Sequence, residues 1–151
     1  AIAWKLSRER AVTDVCCVPG NPGIAGVART VPGDIRAPAD VLAIARREAA
    51  DLTVVGPEMP LSRGLVDLLA HEGLAVVGPT RQAAALEWCK AFAQDFMARR
   101  GVPTARFRVC ASADDALAVL EAGELGWPIV IKADGLAAGK GVVVATTGKP
   151  A

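Results

Sequence analysis

The sequence predicts an α/β protein, with a doubly wound parallel sheet followed by a second, smaller α+β unit. Two observations carry this prediction. In about the first 80 residues, short apolar runs alternate with helical patterns across brief loops, as in parallel sheets. After Gly101 the pattern changes to one short alternating run, one helical segment and two β-branched runs that enclose a glycine-rich segment, which is typical of a hairpin.

The composition favours a globular cytoplasmic protein. Hydrophobic residues make up 52% of the 151-residue chain and charged residues 22%, which is too apolar for disorder. The net charge of +1 gives no general attraction to nucleic acid, and no apolar run approaches the roughly 20 residues of a membrane helix. The cysteines have no zinc-like spacing and predict reduced thiols: Cys16, Cys17, Cys89 and Cys110.

The elements of the first unit follow from apolar spacing. Strands are predicted at residues 12–18, 52–55 and 74–77, where short apolar runs occur. Helices are predicted at residues 1–6, from Pro38 onward and at residues 61–71, where apolar residues recur at helical intervals. Because the chain starts inside a helical pattern and stops just after a strand pattern, we expect a fragment cut at both ends. Its parent should carry an apolar strand and a glycine-rich turn before Ala1.

Polar loops follow the three predicted strands. Ligands of open α/β sheets bind at the carboxyl ends of the strands, so these loops predict a substrate rim, although plain turns would have the same composition. The loops contain Pro19, Gly20 and Asn21, then Gly56, Pro57 and Glu58, and then Gly78, Pro79 and Thr80.

A long helical segment is predicted at residues 81–100, connecting the first unit to a second at residues 101–151. Trp88, Phe92 and Phe96 recur every four residues and predict its core-facing stripe. Lys90 projects roughly opposite that stripe, three residues after Glu87. From the residues alone, Lys90 is therefore interpreted as a solvated surface lysine.

The second unit is predicted to contain a strand, a helix and a hairpin. Residues 106–110 alternate as a short strand does. Ser112, with Asp115 three residues later, predicts a variant capping box at the start of the helix. The hairpin strands are predicted at residues 129–131 and 142–144.

The loop of the predicted hairpin can bind phosphate. It contains three glycines, which allow a ligand close to the backbone N–H groups, and Lys132 and Lys140 lie at its ends. The segment does not match a P-loop, because the spacing is one residue short, Gly141 stands where the hydroxyl residue should be, and a strand, rather than a helix, follows. Two interpretations remain open: a flap that closes over a polyphosphate, or an ordinary hairpin whose lysines keep it soluble.

Taken together, these segments resemble the phosphoribosylamine–glycine ligase family of the ATP-grasp superfamily, along essentially the whole chain. Two departures are the segment Pro22-Gly23-Ile24, and Trp88-Cys89 where the family usually has serine before the lysine. The matching segments are Ala3-Trp4-Lys5-Leu6, Pro19-Gly20-Asn21, Asp51-Leu52-Thr53-Val54-Val55-Gly56-Pro57-Glu58, Gly78-Pro79-Thr80, Lys90-Ala91-Phe92-Ala93 and Ile131-Lys132-Ala133-Asp134-Gly135-Leu136-Ala137-Ala138-Gly139-Lys140-Gly141-Val142.

The resemblance implies that residues 1–80 are part of a pre-ATP-grasp domain whose first strand is missing. Residues 101–151 would begin the ATP-grasp domain. It also implies ATP-driven ligation of glycine to 5-phosphoribosylamine in purine biosynthesis, with Pro19, Gly20, Asn21, Gly56, Pro57 and Glu58 at the substrate. The implied ATP-binding residues are Lys90, Lys132, Asp134, Gly135, Leu136, Ala137, Ala138, Gly139, Lys140 and Gly141.

The resemblance further implies Mg²⁺ or Mn²⁺, with ligands beyond Ala151, and a monomeric cytoplasmic enzyme without nucleic-acid or membrane partners. No catalytic residue is identified in the chain, and the fragment alone is expected to be inactive. Two alternatives stay open. One is another ATP-grasp carboxylate–amine ligase, and the other is a nucleotide-binding module without catalysis.

Overall fold

The computed structural model describes residues 1–137 and 141–147. The chain divides into two compact units, Ala1–Ala84 and Ala85–Ala151. Helices and parallel strands alternate in the first unit, which confirms the predicted α/β class. The helices are α1 (Ile2–Leu6), α2 (Pro22–Ala25), α3 (Pro38–Arg47), α4 (Glu58–Ser62), α5 (Leu65–His71), α6 (Arg81–Trp88), α7 (Lys90–Arg99) and α8 (Ala113–Ala122).

The strands of the described residues form three two-stranded sheets. β1 pairs with β2 in parallel, β3 pairs with β4 in parallel, and β5 pairs with β6 in antiparallel fashion. The strands predicted at residues 12–18, 52–55, 74–77, 129–131 and 142–144 thus form, but in the first unit only two residues of each make ladder pairs. The strands are β1 (Cys16–Cys17), β2 (Arg29–Thr30), β3 (Thr53–Val54), β4 (Val76–Val77), β5 (Ile129–Lys132) and β6 (Val142–Ala145).

The core of the first unit lies between α3 and α5, which contact each other. Helix α3 buries Val41 and Ile44 on its apolar side, and the side chain of Leu69 in α5 is completely enclosed. These residues lie at the helical spacing that the sequence shows, so burial follows the predicted apolar stripe.

Both long predicted helices of the sequence are interrupted. The helix expected at residues 61–71 is two helices, because Gly64 between α4 and α5 takes a left-handed conformation with φ 78°. The helical segment expected at residues 81–100 is also two helices. It breaks at Cys89, whose backbone is extended with φ −116° and ψ 105°.

Two strand assignments differ from the sequence prediction. The prediction of a strand at residues 106–110 is wrong, since these residues form no ladder with any described residue. Strand β2 was not predicted, because Arg29–Thr30 is too short to show a period. It is nevertheless the partner of β1, with Cys16 opposite Arg29.

The second unit has the predicted helix and hairpin. The Ser112 hydroxyl accepts a hydrogen bond from the N–H of Asp115 at 3.1 Å, while the Asp115 carboxylate accepts one from Ala111. The capping box therefore forms with its return bond shifted by one residue. In the hairpin, Lys132 lies opposite Val142, and a further bond from Ala133 N–H to Gly141 extends the ladder.

Candidate nucleotide site at the start of helix α7

Lys90 is the first residue of α7, and its side chain reaches the turn that follows β5. The ammonium donates a hydrogen bond to the carbonyl oxygen of Gly135 at 2.7 Å in a partly buried position. The interpretation of Lys90 as a solvated surface lysine, made from the residues alone, is therefore wrong. The break at Cys89 lets a new helix begin at Lys90, and its side chain extends to residues 45 positions later in the chain.

The carboxylate of Asp134 joins the same two segments. Its Oδ1 accepts hydrogen bonds from the backbone N–H groups of Lys90 at 2.6 Å, Gly135 at 2.9 Å and Ala91 at 3.3 Å. Helix N-terminal N–H groups have no partner within the helix, so the carboxylate supplies one. Asp134, Lys90 and Gly135 thus form one hydrogen-bonded cluster within the second unit, which we call the α7 cluster.

Cys89 completes the start of α7. Its Sγ accepts a hydrogen bond from the N–H of Phe92 at 3.4 Å and so caps the helix. The thiol also donates to Oδ2 of Asp134 at 3.4 Å. Burial alone would raise the pKa of Asp134, but the hydrogen bonds from Gly135, Ala91, Cys89 and Lys90 together lower it. The carboxylate is therefore charged at neutral pH.

The hairpin places Lys132 at the end of β5, where its side chain is exposed. Gly135 and Gly141 have φ values of 81° and 76°, which L-residues with side chains rarely adopt. Leu136 and Ala137 follow Gly135 in the described part of the loop. The other predicted ATP-binding residues lie outside the described residues: Ala138, Gly139 and Lys140.

The first predicted substrate loop is constrained at Gly20 and at Asn21. Gly20 has φ 81°, and a Cβ there would lie 2.4 Å from the side chain of Thr30 in β2. The Asn21 side-chain oxygen caps α2 by accepting from Ile24 N–H at 2.9 Å. Pro19 is exposed, Gly20 offers only backbone, and the NH₂ group of the Asn21 side chain can donate to a ligand.

The second predicted loop begins α4. Glu58 is in the first helical turn after Gly56 and Pro57, and its side chain is exposed. A Cβ at Gly78 would lie 3.3 Å from the carbonyl oxygen of Val55, so the loops that follow β3 and β4 are adjacent. The loop that follows β1 belongs to a different sheet.

A cavity of about 220 Å³ lies at the other end of β1, lined by Ser7 and residues 12–15 and 27–29. Its one cation, Arg29, already donates to Asp14 and Glu48 at 2.8 Å each. The cavity opens beside the amino ends of β1 and β2, away from the predicted rim. It contains none of the predicted site residues.

Residues 1–137 and 141–147 contain no group of three or more His, Cys, Asp or Glu side chains that could hold a metal ion. The metal ligands predicted beyond Ala151 stay a prediction. Among the helices that the structure describes, none is both long and apolar enough to cross a membrane.

Two family models match the chain in succession. Residues 1–87 match the N domain of phosphoribosylglycinamide synthetase, and residues 89–151 match its ATP-grasp (A) domain. The boundary between the two matches falls where α6 ends and α7 begins.

Curated relatives match along nearly the whole chain. The similar proteins are the phosphoribosylamine–glycine ligases of Xanthomonas axonopodis, 52% identical over 149 residues, and of Escherichia coli K12, 48% identical over 150 residues. In each case the match covers 97% of this chain and 34% of the relative. The chain therefore spans about a third of the length of the curated relatives it matches.

Solved structures show the same similarity. The crystal structure of the phosphoribosylamine–glycine ligase from Thermotoga maritima matches with a TM-score of 0.71 and 26% identity, over 97% of this chain and 33% of that chain. N5-carboxyaminoimidazole ribonucleotide synthetase from Thermus thermophilus matches with a TM-score of 0.72 at 18% identity, over 97% of this chain and 38% of that chain. The second likeness concerns the fold alone. With family models matching residues 1–87 and 89–151, the chain belongs to the phosphoribosylglycinamide synthetase family.

Proposed function

We propose that the protein containing this chain joins glycine to 5-phosphoribosylamine with ATP, giving glycinamide ribonucleotide, ADP and phosphate. The observation that carries the proposal is the identity of about half of all residues to ligases of this specificity, sustained through both domain matches. The α7 cluster supports it, because it combines a lysine with a glycine-rich turn. We further propose that the protein is a cytoplasmic monomer.

The proposed reaction has two steps. A glycine carboxylate oxygen attacks the γ-phosphorus of ATP, so that ADP leaves and glycyl phosphate forms. The amine of phosphoribosylamine then attacks the acyl carbon, releasing phosphate and a proton as the amide forms. Both steps depend on holding the reactants in line and on neutralising phosphate charge, so cations and N–H donors are the groups required of this part of the protein.

In this proposal Lys90 and Lys132 hold the nucleotide phosphates. The ammonium of Lys90 is already desolvated in part and carries a neutral carbonyl as its acceptor; a phosphate oxygen is a stronger acceptor because it is charged. Lys132 is exposed at the end of a paired strand, which gives its backbone a fixed position. Residues 135–141 provide backbone N–H groups to the phosphates.

The loops of the first unit are proposed to bind phosphoribosylamine. Residues 19–21 and 56–58 follow parallel strands, where ligands of such sheets bind. The exposed carboxylate of Glu58 and the amide of Asn21 are suited to sugar hydroxyls and to an amine. Divalent metal would lower the charge of the phosphates when bound, and its ligands are proposed to lie beyond Ala151.

The test uses the full-length protein with ATP and magnesium, and measures ADP release with and without glycine and phosphoribosylamine. We expect sustained ADP release only when both are present, because the amine must consume glycyl phosphate before the next turnover. Turnover with another carboxylate in place of glycine, or with another amine in place of phosphoribosylamine, would indicate a different ATP-grasp ligase. Binding of ATP without turnover under any of these conditions would indicate a nucleotide-binding module.

A further inference from the structure

The Asp134 carboxylate is occupied by protein donors. Three backbone N–H groups, those of Lys90, Ala91 and Gly135, converge on Oδ1 at 2.6, 3.3 and 2.9 Å. The Cys89 thiol donates to Oδ2 at 3.4 Å. The three N–H groups all bind Oδ1. The position of Oδ1 therefore determines, more than that of Oδ2, how the start of α7 is joined to the turn after β5.

The joined segments hold Lys90 at both ends of its side chain. Its backbone N–H is bound to Asp134, and its ammonium is bound to the carbonyl oxygen of Gly135. Gly135 in turn donates its own N–H to Asp134. A lysine side chain has several free torsions, so fixing its origin and its end together restricts where the ammonium can lie.

We infer that Asp134 is a positioning residue, which sets the ammonium of Lys90 for phosphate binding through hydrogen bonds to the protein backbone, and does not itself contact the nucleotide or its metal. The inference rests on the proposed ATP site. It differs from the expectation that Asp134 binds ATP. In this inference the carboxylate accepts hydrogen bonds from backbone N–H groups instead. A carboxylate that accepts several N–H groups is stabilised in its charged form, as the helix N-terminus also favours.

Two substitutions at this position separate the alternatives. Asp134→Asn keeps a carbonyl oxygen that can accept the three N–H groups at Oδ1 and places an amide NH₂ beside the Cys89 sulfur, which can accept a weak hydrogen bond. Asp134→Ala removes all of these bonds. We expect the affinity for ATP, measured by calorimetry on the full-length protein, to fall by about tenfold in Asp134→Ala and to stay within about threefold of wild type in Asp134→Asn.

A double-mutant cycle tests whether Asp134 acts through Lys90. Lys90→Met removes the ammonium that Asp134 is inferred to set, so Asp134→Ala should add little to its effect. We expect Lys90→Met/Asp134→Ala to bind ATP within about twofold of Lys90→Met alone, whereas independent losses would multiply. Thermal unfolding of each variant establishes that it is folded, and a purely structural role of Asp134 would not give this non-additivity.

Three results with the variants would overturn the inference. The first is a loss in folded Asp134→Asn as large as that in Asp134→Ala, which would show that the charge itself contacts nucleotide or metal. The second is an independent, multiplying loss in the double variant. The third applies if Asp134→Ala does not fold. In that case, a more than tenfold loss of ATP affinity in folded Asp134→Asn would overturn the inference. A wild-type protein that binds ATP without ligating glycine would refute the proposed reaction and leave this affinity test intact. A folded wild type that does not bind ATP would overturn both.

Discussion

The ammonium of Lys90 lies 2.7 Å from the carbonyl oxygen of Gly135. This contact joins the first residue of α7 to the turn after β5, and the Asp134 carboxylate binds the backbone of both. The family's two domain matches meet at residues 87 and 89, so the cluster belongs wholly to the ATP-grasp match. The start of α7 and the turn at Asp134 and Gly135 therefore act as one local structure.

Removing the ammonium of Lys132 should slow glycine-dependent ADP release by the full-length protein. A charge-assisted contact contributes about 1.5 to 3 kcal/mol, so Lys132→Met is expected to lose roughly tenfold to a hundredfold in rate. The loss should be at least as large as in Lys140→Met. The reason is that Lys132 is on a strand paired residue by residue with β6, and a fixed cation can be aimed at charge.

Steady-state rates with ATP, glycine and phosphoribosylamine measure this effect. Lys5→Met is a matched control, because Lys5 is an exposed lysine in α1 that pairs with Glu9. It should leave the rate near that of wild type. Near-normal activity of folded Lys132→Met would show that Lys132 only makes the end of the strand polar.

The two glycines that flank the loop should differ in their tolerance of alanine. Both have positive φ, so either substitution should cost about 1 kcal/mol in backbone strain. At Gly141 a Cβ would also lie 3.0 Å from the Cβ of Ala133, whereas nothing lies within 4 Å of a Cβ at Gly135. We expect Gly141→Ala to lower the free energy of unfolding more than Gly135→Ala, as measured in urea. Equal losses in the free energy of unfolding would contradict this prediction, because they would mean that Ala133 moves away from the new Cβ without destabilising the protein.

The cap of α7 should depend on an acceptor at position 89. Cys89 accepts from the N–H of Phe92, and losing an N-cap acceptor costs about 0.5 to 2 kcal/mol. Cys89→Ala should therefore reduce the free energy of unfolding by about 1 kcal/mol. Cys89→Ser should not reduce it, because a serine hydroxyl is a preferred cap. Urea denaturation compares the three proteins, and equal stability of the alanine variant would contradict the capping role.

The stability of the first unit should fall in acid in a way that depends on Arg29. Hydrogen bonds from Arg29 lower the pKa of Asp14 and of Glu48 from their ordinary values. Folded protein then binds fewer protons than unfolded protein, so this contribution is present above about pH 4 to 4.5 and is lost as the pH falls. Arg29→Gln should remove it.

Thermal unfolding between about pH 5 and pH 3 tests this prediction. The wild type should lose stability more steeply over this range than Arg29→Gln. Added salt should bring the two curves together, because all three groups are at least partly exposed and salt screens exposed charges. Parallel curves at low salt would contradict the prediction.

Much of the fold could be predicted from local patterns. The apolar spacing of α3 and the β-branched runs of β5 and β6 act within a few residues, and the structure has these elements where they were expected. The break at Cys89 could not be predicted from a glycine or proline, since neither is present there. It depends on a carboxylate 45 positions away in sequence, at Asp134, which binds the new helix start.

The residues of the candidate site could be predicted from the sequence, but the contacts between them could not. The resemblance identified Lys90, Asp134 and Gly135 as one functional group, while the spacing around Lys90 alone indicated a solvated side chain. Periodicity reports which side of a helix is apolar, and it carries no information on what a lysine reaches beyond that helix. The strand predicted at residues 106–110 failed for a related reason: alternation shows a strand-like pattern without showing that a partner exists.

The hairpin has a consequence for work with this chain by itself. The side chains of Val142, Val143 and Val144 are 48%, 59% and 62% exposed, and β6 pairs with β5 on one edge only within the described residues. An uncharged valine run with an open edge is a template on which another chain can add a strand. The isolated chain should therefore aggregate through β6 in concentrated solution. Val143→Lys should reduce this aggregation, because a charge on an edge strand opposes the addition of another strand.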